Sequence, residues 1–320
     1  MHNKDIESNS NSKKHILKPL VSDDKLDLFQ FLSILMESKR FIALITSLFM
    51  ALGIVYSLTL PNIYQSSVLL APVHEPSPMD SAIGQFSGLA SLAGVNLGKQ
   101  ADQTNQIALA SLKSRKFITE FVNNHHLLPE LMALKTWDAD SNTLVFDHDI
   151  YDEKLDSWRG HKFHNDSSMP TASEGYKAFM KTLTVEENKE TGFIRLSINS
   201  KSPYLSQQWL NWLVEDINQW MKIRKVDSSK MNIRYLEAQK AKTSIADMVN
   251  IFNSLIEMQT KQLMLAEANV EFAFQTIDNA VVPEEKLEPH RSTIVAVFFS
   301  IGFFISIAFI FIRAFFRGEL

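Results

Sequence analysis

The chain has 320 residues, 45% of them hydrophobic and 21% charged, with a net charge of −4 and no cysteine. No disulfide, thiolate metal site or cysteine nucleophile is possible, and the acidic balance leaves no electrostatic footprint for nucleic acid. The length allows one or two domains with a sizeable core.

Met1 to Ser22 is polar and rich in Ser, Asn and Lys, the composition of a disordered tail. From Asp23 to Lys39, Leu26, Phe29, Leu32, Leu35 and Met36 recur at three- and four-residue steps, which predicts an amphipathic helix. Phe41 to Leu60 then carries no charged residue, and neither does Thr293 to Ile312. About 20 helical residues cross a hydrocarbon core of about 30 Å, so both runs read as transmembrane helices. A core helix would show a polar face, and these do not. The first run is an anchor rather than a secretory signal, because a polar tail precedes it and Tyr56 to Leu60 offers no small-residue cleavage site.

Flanking cations set the orientation. Lys4, Lys13, Lys14, Lys18, Lys25, Lys39 and Arg40 precede the first span, and Arg313 and Arg317 follow the second; His290 and Arg291 do not outweigh them. Short cationic flanks stay in the cytoplasm while long loops translocate largely regardless of charge. Both termini (1–40 and 313–320) are therefore expected inside and residues 61–292 outside.

Within the loop, Tyr64 to Val73 reads as a strand closed by Pro72, Pro76 and Pro78. Gly84 to Gly98 is rich in Gly, Ser and Ala, without a phosphate-binding pattern, and reads as a packed loop or short helix of small residues. Ile107 to Asn123 is predicted helical, with Leu109, Leu112, Phe117 and Phe121 on its apolar side. Trp137 to His164 is acidic and aromatic, and Thr171 to Leu183 is a second helix. Leu183 to Glu187 and Phe193 to Asn199 alternate around Lys189 to Gly192, as in a β-hairpin. Ser202-Pro203 opens a helix running to about Thr243, proline being suited to the first turn. Thr243-Ser244 breaks it before a second helix, Ile245 to about Asn269. Glu271 to Ile277 alternates again and is expected to return to the sheet, and Pro283 and Pro289 lead into the second span. The expected class is α+β: an α/β base domain (61–201), an antiparallel helical hairpin (202–270), a return strand and linker (271–292), and spans at 41–60 and 293–312.

Chemistry is sparse. Asp138, Asp140 and Asn142, with Asp149 further on, begin like a calcium loop, but Thr143 stands where glycine belongs and Asp149 is a poor bidentate ligand. Asp138 with Asp140 could also hold a metal–nucleotide, yet nucleotide sugars are cytoplasmic and this pair is outside. His125-His126 and His161 with His164 lack a matched third ligand, and no Gly-x-Ser-x-Gly elbow exists. No catalytic residue, metal or cofactor is expected. Close helix packing in lipid favours small residues four apart. Ser47 with Ala51, Gly53 with Ser57, Ala296 with Ser300 and Gly302 with Ser306 are therefore the candidate packing positions, against the plainer reading of small residues that face lipid.

These segments, in this order, resemble the chain length determinant (Wzz) family of polysaccharide co-polymerases. The carrying residues are Leu26-Asp-Leu-Phe-Gln-Phe-Leu-Ser-Ile-Leu35 before the first span and Tyr64-Gln-Ser-Ser-Val-Leu-Leu-Ala-Pro72 after it. Gly88 to Gly98, Ala110 to Phe117, Gly192 to Ile198 with Ser202-Pro203, Leu255 to Leu265 and Thr276 to Glu284 complete them, although Asn279 stands where the family pattern leads one to expect proline. The resemblance implies a non-catalytic bacterial inner-membrane protein that forms a homo-oligomer. It would set the modal length of a surface polysaccharide, O-antigen or a related exopolysaccharide, beside an integral-membrane polymerase acting on lipid-linked units. Some relatives carry a kinase domain after the second span; none is expected in a chain ending at Leu320. A two-span sensor would need a larger cytoplasmic output than these tails, and an export adaptor usually has one anchor.

Overall fold

The computed structural model describes residues 36, 38–73, 99–159, 163 and 169–317. The polar tail, almost all of the predicted amphipathic helix, the Gly-rich stretch 84–98, His161 and His164 lie outside the described residues. The chain divides into two compact units, one made by its two ends, up to Val55 and from Ser292, and the other by Tyr56–Arg291.

Helix α1 (Lys39–Thr59) leads to strand β1 (Tyr64–Pro72); α2 (Lys99–Leu112), α3 (Arg115–Asn124) and the short α4 (Leu128–Met132) follow. Two small hairpins come next, β2–β3 (Leu134–Asp138, Thr143–Phe146) and β4–β5 (Tyr151–Asp152, Ser157–Trp158). After them stand α5 (Ala172–Thr182), β6 (Leu183–Glu187), β7 (Ile194–Ser200), α6 (Pro203–Lys240), α7 (Ala246–Ala268), β8 (Phe274–Asp278) and α8 (Arg291–Arg317).

The central sheet is antiparallel, in the order β6-β7-β1-β8. Pairing of Val68 with Leu196 and of Leu70 with Ile194 puts one apolar row on a single face. Val68, Leu70, Ile194, Leu196 and Ile198 are all buried there, as strand alternation requires. The β6–β7 turn is closed by Asn188, whose Oδ1 accepts from the N–H groups of Glu190 (2.9 Å) and Thr191 (3.2 Å). Gly192 there takes φ +72°, a conformation that favours glycine.

Helix α6 covers β1 and β7, and α3 and α5 pack beside it around Phe121, Phe179 and Trp209. Its buried residues run from Pro203 to Met221, with only Ser229 beyond them. The first half is therefore core and the second half is an arm. At 1.5 Å per residue the 38 residues of α6 extend about 57 Å. The arm pairs with α7, on which only Ala266 is buried. Lys222 Nζ caps the end of α7 by donating to the carbonyls of Glu267 (2.8 Å) and Asn269 (3.1 Å), orphan acceptors at a helix C-terminus.

Asn218 ties this helix to the returning strand. Its Oδ1 accepts from the N–H of Ala273 (2.7 Å) and of Phe274 (2.9 Å), and its Nδ2 donates to the Phe274 carbonyl (3.0 Å). The return strand consequently starts at Phe274 rather than at Glu271. Past β8, Ser66 Oγ donates to Val281 O (2.7 Å) and Gln207 Nε2 to Ala280 O (2.9 Å), stitching the exit segment to β1 and α6.

Two regions differ from the sequence reading. The single helix expected over 107–123 is two helices, because Ser114 adopts an extended conformation and its Oγ N-caps α3 by accepting from Phe117 N. The acidic-aromatic stretch carries β2 to β5, strands of two to five residues that share the aromatic packing of Phe146, Tyr151 and Trp158. Helix α5 begins as expected, with a capping box between Thr171 and Glu174.

Candidate functional site

Helices α1 and α8 are both long and apolar enough to cross a membrane. Most of their large side chains are exposed, Leu44, Val55 and Phe304 among them, which a core helix of a soluble protein would not show.

Within their unit the two helices pack antiparallel by a reciprocal exchange. Phe49 of α1 lies against Gly302 of α8, and Phe298 of α8 lies against Gly53 of α1. A Cβ on Gly302 would stand 2.7 Å from Phe49 Cβ, and one on Gly53 would stand 2.8 Å from Phe298 Cβ. Carbon atoms pack at about 3.5–4.0 Å, so neither position has room for a methyl group. Further along the same seam the rings of Phe41 and Phe309 meet with centroids 5.3 Å apart. The buried Thr46 hydroxyl donates back to Ile42 O (2.8 Å) and the buried Ser306 hydroxyl to Phe303 O (2.7 Å), so neither needs a partner across the seam.

The eight small residues therefore divide by face. Gly53, Ser57, Gly302 and Ser306 are buried, whereas Ser47, Ala51, Ala296 and Ser300 are exposed. Ser300 satisfies itself by donating to Ala296 O (2.9 Å). The sequence reading missed the two phenylalanines that fill the glycine notches. A signal was present: Phe49 stands four residues before Gly53, and Phe298 four before Gly302. Two antiparallel helices carrying the same Phe-x-x-x-Gly spacing can lock each ring over the other's glycine.

Within the other unit the chain is clasped by segments that lie just after α1 and just before α8 in sequence. Ile63 N–H donates to Glu288 O (2.9 Å) and Leu287 N–H to Ile63 O (2.8 Å). Asn62 Oδ1 accepts from Lys286 Nζ (3.4 Å) and from Arg291 Nη2 (3.3 Å). With β1 paired to β8, this closes the base where the chain enters and leaves it.

The acidic candidates do structural work. Asp138 accepts from Ser141 Oγ (2.7 Å) and Asp140 N–H (3.1 Å), which closes the β2–β3 turn, and these bonds hold its carboxyl below the usual range. Asn142 accepts from Trp137 Nε1 (2.9 Å), and Asp149 donates its N–H to Asp147 (3.0 Å), so the would-be calcium loop is a set of local turns. His125 bonds Asp216 (2.9 Å) and stacks on Trp212 with centroids 4.4 Å apart. Among the described residues no three His, Asp or Glu side chains converge as metal ligands.

Among solved structures, the chain is similar to a full-length bacterial polysaccharide co-polymerase. Identity is 12%, 91% of this chain and 99% of that chain are covered, and the TM-score is 0.40. It is also similar to a fragment of WzzB, a polysaccharide co-polymerase from Salmonella Typhimurium, with 12% identity, 71% of this chain and 100% of the fragment covered, and a TM-score of 0.26. No curated protein matches. Residues 24–125 match the family model Wzz, "Chain length determinant protein". Residues 247–315 match GNVR, "G-rich domain on putative tyrosine kinase". Together the two matches span just over half of the chain, one containing the first apolar helix and the other containing most of the second. The first third of the chain is thus similar to the chain length determinant (Wzz) family, and its last part to the GNVR domain.

Proposed function

We propose that this protein regulates the length of a surface polysaccharide, O-antigen or a related exopolysaccharide, as a non-catalytic, cofactor-free co-polymerase. It does so as a homo-oligomer beside an integral-membrane polymerase that extends lipid-linked chains. The observation that carries this reading is the pair of family matches, in order, at the two ends of a domain bounded by two apolar helices. The proposed topology has both termini in the cytoplasm of a bacterial cell and the base and hairpin in the periplasm. The cationic residues before α1 and at the end of α8 support it. The chemistry of the described residues agrees with a scaffold, since the carboxylates that looked most like ligands close turns instead.

The test is a deletion strain complemented with this chain, its surface polysaccharide separated on a gel. Clustering of chain lengths around one mode is expected with the chain and a broad distribution without it, with synthesis retained in both. Abolished synthesis in the deletion strain would point instead to a catalytic or transport role.

A further inference from the structure

A cleft of about 260 Å³ opens in the base domain between α4, the ends of α5 and β7, and the Ile63–Glu288 clasp. Most ligand pockets are somewhat larger, so an occupant of this one is small. Its lining holds two cations, Lys181 and Lys201, and two carboxylates, Glu130 and Glu288. These do not neutralise one another: among the described residues no ion pair joins either lysine to a carboxylate. Half-buried Lys201 donates to the Leu134 carbonyl, which among the described residues leaves two of its three N–H donors free. Glu288 is exposed and offers carboxylate acceptors, whereas Glu130 Oε2 is shut off from solvent and out of a ligand's reach. Asn199 accepts from Gln65 Nε2 (3.0 Å), and among the described residues its own side-chain N–H groups have no acceptor.

Free donors and an exposed carboxylate in one small cleft select the ligand's chemistry. An anion would face Glu130 and Glu288, and a cation would face Lys181 and Lys201. A neutral molecule that donates and accepts along several directions satisfies both sets. Each hydroxyl of a sugar ring is one donor and two acceptors, and Ile63 and Leu131 offer apolar surface to its C–H face. We propose that this cleft is a subsite for a single neutral sugar residue. Resting on the proposed function, it identifies that sugar as part of the polysaccharide whose length is set. Its place along the chain fits, since Ile63 follows α1 and Glu288 precedes α8 by only a few residues.

The test uses the full chain in detergent micelles with methyl glycosides of glucose, galactose, mannose and N-acetylglucosamine, read by saturation-transfer NMR. At least one glycoside should show transfer, with binding about tenfold weaker in Lys201→Met, as expected for loss of a charged hydrogen bond. Lys181→Ala, at an exposed position, should weaken it as well and keeps the test valid if Lys201→Met fails to fold. Asp138→Ala, outside the cleft's lining, should leave transfer unchanged. No transfer from any glycoside, transfer indifferent to both lysine variants, or Lys201-dependent binding of inorganic phosphate in place of the glycosides would each overturn the subsite. If complementation restores length clustering while no glycoside binds, the subsite falls and the proposed function stands. If glycosides bind but complementation fails, the reverse holds.

Discussion

Gly302 is the position where enlarging one residue should do most damage to the paired spans. An added Cβ would lie 2.7 Å from Phe49 Cβ and 3.0 Å from its Cγ. Since carbon atoms pack at about 3.5–4.0 Å, the overlap is about 1 Å. Phe49 Cβ is fixed to its own helix and cannot swing aside as a side-chain tip would, so the helices must separate or rotate. Separation by 0.5–1 Å also costs a quarter to a half of the dispersion attraction at the neighbouring contacts, including the reciprocal Phe298–Gly53 notch. Overpacking of this kind costs about 1–3 kcal/mol. Alanine's better helix propensity offsets up to about 1 kcal/mol, so Gly302→Ala should lose about 1 kcal/mol and Gly302→Leu more. Because the chain has no cysteine, Phe41→Cys with Phe309→Cys, whose rings are 5.3 Å apart, reports the pairing through a short bismaleimide. The cross-linked fraction should fall stepwise from wild type to Gly302→Ala to Gly302→Leu. Ala296→Leu, on the exposed face, should match wild type. Membrane insertion should survive in all of them, because hydrophobicity is kept, and Gly302→Leu should shift or broaden the polysaccharide length distribution. Wild-type cross-linking and an unchanged melting temperature in Gly302→Leu would refute the notch as the determinant of pairing.

Asn218→Leu should strip the partners from two buried N–H groups and one carbonyl at the start of β8, at about 1–3 kcal/mol each; a loss of about 3 kcal/mol or more by urea unfolding is expected, and a loss under about 1 kcal/mol would sink the assignment. Burial raises the Glu130 carboxyl above its ordinary 4.5, with its own backbone hydrogen bond and the His126 charge acting the other way. The folded state therefore favours the protonated acid, and this stabilisation is full below about pH 4.5 and is lost as pH rises through the folded value. Glu130→Gln stays neutral, so its melting temperature should match wild type near pH 4 and exceed it at pH 8; the opposite order would show a carboxylate stabilised by an unseen cation. Reporter fusions at Ser22 and after Arg317 should read cytoplasmic and those at Asp166 and Lys242 periplasmic, and a cytoplasmic Asp166 would reverse the proposed topology. Asp138→Ala should leave polysaccharide length and yield as in wild type, whereas lost synthesis would reopen a chemical role for the turn.

What the sequence discloses depends on how local the determining force is. The spans are legible because a charge-free run of that length is the mark of a segment that crosses lipid. The start of α6 is legible because Ser202-Pro203 acts within one turn, and the hairpin of β6 and β7 because its alternation runs for several residues on either side of Gly192. The β2 to β5 hairpins are hidden in the sequence because strands such as Tyr151–Asp152 are too short for alternation to register, and their order comes from aromatic contacts. The break at Ser114 is hidden because serine is compatible with a helix interior as well as a cap, and burial of Leu112 and Phe117 on the same core decides between them. Asn218 looks like one polar residue in an apolar stripe; its partners lie 55 and 56 residues further on. The four small-residue pairs satisfy the same spacing rule. Helix rotation separates them, and Phe49 and Phe298 set that rotation.

Continuity of α6 gives the base domain a mechanical character. Residues up to Met221 are locked into the core by Trp209, Leu210, Leu213 and Ile217, while the same helix carries on unbroken to Lys240 as the arm. Lys222, at the junction, holds the end of α7 against it, and Asn218, one turn earlier, holds the start of β8. A deflection of the arm would therefore not be absorbed at a flexible joint. It would load Asn218 and β8, then β1 through their pairing, and finally the Ile63–Glu288 clasp where the chain meets its two apolar helices. The arm, sheet and clasp thus form a continuous hydrogen-bonded path within one unit. For a protein proposed to act by position and not by chemistry, this stiffness is the functional property the sequence specifies. It places the vulnerable residues at Asn218 and the clasp rather than at the exposed acids that first resembled a site.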